Sequence, residues 1–108
     1  MRICQNQFPN FDATLPEIDG FVDDSWKDDI CPSLLNEDLN LKLMVDYIDP
    51  RLSEVGKQRA EGKRGRYSMH VPGEHTDIIS SDNLSDILVA IAEVEAARSI
   101  RPSQQPKL

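Results

Sequence analysis

The sequence predicts a single α+β domain, a small antiparallel sheet of about three strands with a C-terminal amphipathic helix packed on one face. Three observations predict it: residues 39–49 alternate with a period of two, residues 66–71 alternate again, and residues 82–98 switch to the helical period. Strands that follow one another before a helix give an antiparallel sheet with the helix on one side. The 108 residues suit one domain, because a chain of this size buries roughly two thirds of its unfolded surface.

Residues 5–33 hold Pro9, Pro16 and Pro32, so no long helix fits there. Phe8, Phe11, Leu15, Ile18, Phe21, Val22 and Trp26 supply too much apolar surface for a tail, and the segment reads as irregular but packed, with room for a short strand near 18–22. In the first clear strand, Leu39, Leu41, Leu43, Val45 and Tyr47 face the core, and Asp49-Pro50 ends the run. Residues 51–65 carry Gly56, Gly62 and Gly65 among charges and read as a basic connecting loop, which makes 39–71 a hairpin. Tyr67, Met69 and Val71 are the inward residues of its second strand, and Pro72-Gly73 turns the chain into a third strand near 76–80. Leu84, Ile87, Leu88, Ile91 and Val94 form one stripe of the final helix, with Asp82 and Asp86 at its positive end and Arg98 at its negative end. The domain thus spans 1–98, and residues 99–108, which contain Pro102, read as a flexible tail.

Charge is unevenly distributed. Residues 1–50 carry eleven carboxylates against three cations, residues 51–66 carry six cations against two carboxylates, and the remainder is acidic again, for a net charge of −7. Such a chain attracts basic protein surfaces and repels nucleic acid except at its basic segment. No apolar run approaches the ~18 residues that cross a bilayer, and the first residues lack the apolar core of a secretory signal, so a cytoplasmic protein without membrane contact is expected. Cys4 and Cys31 accordingly read as reduced thiols filling apolar space.

Four constellations carry candidate chemistry. Trp26 stands between Asp23-Asp24 and Asp28-Asp29, and an exposed tryptophan within a carboxylate rim is the composition of an anchor for a basic partner. Lys57, Arg59, Lys63, Arg64 and Arg66 form a possible phosphate-binding arm, with only Tyr67 as an aromatic neighbour. Asp46, Ser68 and His70 would share the polar face of the hairpin and suggest acid/base work. His70 and His75, with Glu74 and Asp77, have metal-ligand types without a ligand spacing, so neither a metal nor a cofactor is expected.

The expected function is therefore binding, not catalysis, through Asp23, Asp24, Trp26, Asp28 and Asp29. A small acidic α+β chain lacking a catalytic signature is of the type common among inhibitors and immunity proteins of bacteria and phages, whose targets include basic, nucleic-acid-handling proteins. The alternatives are a nucleic-acid-binding accessory protein using 57–66 and a small enzyme using His70.

Overall fold

A computed structural model of the chain describes residues 3–74 and 76–104. Along the chain run α1 (Ile3–Gln7), β1 (Val22–Asp23), β2 (Ser33–Asn36), β3 (Leu41–Val45), a short 3-10 turn (Pro50–Leu52), α2 (Gly56–Ala60), β4 (Tyr67–His70), β5 (Asp77–Ser81) and α3 (Leu84–Gln104). The five strands form one antiparallel meander in the order β1-β2-β3-β4-β5, so β1 and β5 are its edges.

The α+β class agrees with the sequence reading, but the sheet has five strands where about three were expected. The two additions have a common cause. β1 is two residues long and β2 reads Ser-Leu-Leu-Asn, so neither offers enough alternation to register as period two. β2 is nonetheless secured by its full pairing with β3, Leu34 opposite Leu43 and Asn36 opposite Leu41. The tight 37–40 connection between them relies on two asparagines. Asn36 accepts the Leu39 N–H at 2.9 Å, and Asn40 takes φ +57°, a left-handed conformation that asparagine tolerates.

One face of the sheet is the core. Leu34, Leu41, Leu43, Val45, Tyr67 and Met69 point to it and meet Ile87 and Ile91 of α3, with Phe21 closing the side near β1. Burying each such side chain is worth ~1.5–3 kcal/mol. Of the expected helical stripe, Ile87 and Ile91 are buried and Leu84 and Val94 pack at the margin, but Leu88 is 44% exposed. A flat sheet touches a narrow arc of a helix, and Leu88 lies outside that arc. The helix begins where Ser81 accepts the Asn83 N–H and donates to Asp86, and Arg98 pairs with Asp38 at 3.1 Å near the β2–β3 turn. It continues to Gln104 where an end at 98 and a tail from 99 were expected. Pro102 has no N–H to return to the carbonyl four residues earlier, so the helix runs through it one hydrogen bond short.

The far face of the sheet is polar, and much of it is covered. Ser33 and Ser68 point that way, Ser68 on the polar face the sequence reading gives it, and both are buried. The 24–32 segment crosses back over Ser33, where Ser25 accepts the Ser33 N–H and Ser33 donates to the Asp24 carbonyl. At the other end, what reads as a plain basic loop contains the 3-10 turn and α2. These two dock so closely that a Cβ on Gly56 would stand 1.8 Å from the Pro50 carbonyl oxygen.

Candidate functional site

The 24–32 segment presents the acidic aromatic patch. Trp26 is 53% exposed, at a turn closed by the Asp29 N–H to its carbonyl. The Lys27 N–H donates to the Gln7 side chain of α1 at 2.9 Å, which holds the loop against the domain. The four aspartates then divide into two pairs. Asp23 is half-buried and accepts the N–H groups of Cys4 and Ser25 at 2.8 and 3.1 Å, while Asp29 pairs with Lys42 of β3 at 3.4 Å. Asp24 and Asp28 are exposed on either side of Trp26. The outer surface is thus Asp24, Trp26 and Asp28, and the inner carboxylates position it.

The basic segment is largely turned inward. Arg59 pairs with the buried Asp46 at 3.1 Å and donates to the Tyr47 carbonyl at 2.6 Å. Arg66 donates to the Asp46 carbonyl and to the Tyr67 hydroxyl, and lies over that ring at 5.0 Å. Arg64 donates to Ser68 at 3.0 Å. Lys57 and Lys63 remain exposed, and Lys63 pairs with Glu61 at 3.0 Å. The run of cations that suggests a phosphate arm is in large part the internal counter-charge and scaffolding of the loop.

Asp46, Ser68 and His70 do not assemble into one group among the described residues. Asp46 accepts Ser53 at 2.6 Å beside Arg59, and Ser68 shares a 2.9 Å hydrogen bond with Ser80. His70 stands opposite Lys42 and Asp77 in the ladder. Burial lowers its basicity, with Lys42 and Arg64 adding to the effect and Asp77 opposing it, so the ring is neutral at pH 7. Cys31 is enclosed and its thiol is pushed up to about 12, chiefly by burial, which removes it as a nucleophile near neutrality. Cys4 is also buried, and neither cysteine is in a disulfide. No three His, Cys, Asp or Glu side chains group to hold a metal among the described residues, and His75 lies outside them.

Two adjoining clefts flank β1, of about 600 and 370 Å³, sharing Asp19 and Gly20 and rimmed by Glu17, Glu37, Asp38 and Glu95. Sequence reasoning missed them because their walls come from the 15–21 loop, the β2–β3 turn and α3, segments far apart in the chain. No helix among the described residues is long and apolar enough to cross a membrane. No protein-family model matches the chain, nor does any curated protein or solved structure.

Proposed function

We propose that the chain is a non-enzymatic binding protein that masks a basic surface of another protein, an inhibitor or immunity-type role whose target handles nucleic acid. The observation that carries this reading is Trp26, 53% exposed between the exposed Asp24 and Asp28 on a loop braced from beneath by Asp23 and Asp29. A braced loop loses little conformational freedom on binding, and tryptophan is the side chain richest in contact area. The acidic clefts beside β1 extend the same sign of charge, which speeds encounter with a cationic partner. Competition from a nucleic-acid role is weakened by the inward commitment of Arg59 and Arg66.

The test is capture of partners from native lysate by the immobilised chain, with Trp26→Ala and the Asp24→Asn/Asp28→Asn pair as comparators. A basic protein retained by the wild type should be lost with Trp26→Ala, a change worth about 2 kcal/mol or more at an interface anchor. The double variant should associate more slowly and with a shallower salt dependence. Recovery that nuclease abolishes, or that all three proteins support equally, would overturn the reading.

A further inference from the structure

The 61–66 loop carries a cation that the fold holds in place by specific contacts and leaves without an ion pair among the described residues. Arg64 lies over the far face of the sheet, half-buried, and its only hydrogen bond among the described residues goes to a neutral hydroxyl, that of Ser68. Its Nε is shielded from solvent and has no hydrogen-bond partner among the described residues. Asp46 and Asp29, which share these surroundings, are otherwise committed. Asp46 is held by Arg59 and Ser53, Asp29 by Lys42, and the Cys31 thiol stays protonated far above neutral pH. A guanidinium taken partly out of water normally finds a carboxylate, and the chain has nineteen to offer.

The surroundings hold Arg64 there through specific contacts. Gly65 donates its N–H to Ser80 at 2.9 Å, and a Cβ on Gly65 would fall 2.2 Å from the Ser81 carbonyl carbon, so the loop is seated directly on β5. Ser80 and Ser68 are cross-strand neighbours joined at 2.9 Å, which leaves Ser80, the exposed member, beside the guanidinium. One ladder row away on the same face stand Lys42 and His70. Two nitrogen-bearing side chains, Arg64 and His70, and an exposed hydroxyl thus share one patch, with Asp77 and the Lys42–Asp29 ion pair at its border.

We propose that Arg64, Ser80 and His70 form a binding site for a tetrahedral oxyanion of the phosphate class, either the free ion or a small monoester. Arg64 supplies the planar donor set that such oxygens favour, and Ser80 a hydroxyl donor. His70 adds charge only when protonated. The groups facing it are Asp77 on β5, Lys42 on β3, Arg64 on the loop and Asp29 on the 24–32 segment. A dianion placed among them favours the protonated ring, so affinity rises as pH falls through the histidine range.

The experiment is a titration of the full chain, followed by amide chemical shifts, with sulfate, inorganic phosphate and glycerol phosphate at constant ionic strength. Sulfate does not itself titrate, so its pH dependence reports the protein. Saturable shifts at Gly65, Ser68 and Ser80 are expected, for sulfate several-fold tighter at about pH 5.5 than at about pH 7.5. Arg64→Met should weaken binding about tenfold or more, and Lys63→Met should leave it unchanged. If Arg64→Met fails to fold, His70→Asn provides the second reading and should abolish the pH dependence for sulfate. Tighter binding of glycerol phosphate than of phosphate supports an ester site, and equal binding supports a site for the ion alone. The absence of saturable shifts with all three anions at the lower pH, or unchanged binding by Arg64→Met, would overturn the proposal.

Discussion

Gly65 and His70 illustrate how single residues set the tolerance of this fold. Replacing Gly65 by Ala forces a methyl group into the Ser81 backbone, which cannot swing aside as a side-chain tip would. The expected cost is about 1–3 kcal/mol in urea denaturation, typical of overpacking. Gly62 is the comparator, since its φ of +75° disfavours alanine but nothing lies within 4 Å of the added carbon, and Gly62→Ala should cost only about 1 kcal/mol. Equal losses at the two positions would mean that the loop is not seated on β5. For His70 the folded state lowers the pKa, so protonation favours the unfolded chain. Its contribution is fully present above the unfolded value of about 6.5 and is lost as pH falls through the folded one. His70→Asn should therefore lose less stability than the wild type between about pH 7 and pH 5, read as the urea midpoint against pH. Parallel curves would remove His70 from the balance.

At the scale of elements, stability should track which side of α3 a residue occupies. Ile91→Ala should cost ~2–5 kcal/mol, as should Leu43→Ala in the same core cluster, because both side chains are enclosed. Leu88→Ala should cost less than about 1 kcal/mol, since that side chain is 44% in water. Denaturant titration separates the two groups, and a large loss at Leu88 would mean that a partner or a second copy covers that face. What was legible in the sequence follows the same logic. β3, β4 and α3 announce themselves because each places apolar side chains at a regular period on one buried face. β1 and β2 do not, because they are short and owe their form to neighbours already in place. The candidate site was legible in composition only. Trp26 and its aspartates could be named, but that Asp23 and Asp29 point inward depends on Cys4 and Lys42, residues that no local pattern connects to them. Arg59, Arg64 and Arg66 likewise read as a free basic run until the fold gives them internal partners.

The molecule as a whole carries more negative charge than its ion pairs absorb. With a net charge of −7 and pairs such as Arg51–Asp49 and Lys63–Glu61 lying at the surface, mutual repulsion among carboxylates outweighs what those pairs return. Raising salt from about 10 to about 150 mM should therefore raise the thermal midpoint by a few degrees at pH 7. A fall would show that screening of the ion pairs dominates. The sheet's outer strand gives the charge a further meaning. β5 is an edge of five residues with Ile78 half in water and no proline to interrupt it, a form that invites edge-to-edge growth between molecules. Asp77 at its start and Asp82 just past its end act as gatekeepers, keeping a second strand from docking in register. Replacing both by asparagine removes this guard while the ladder itself is kept, so turbidity and fibril-type association should appear at concentrations where the wild type stays clear.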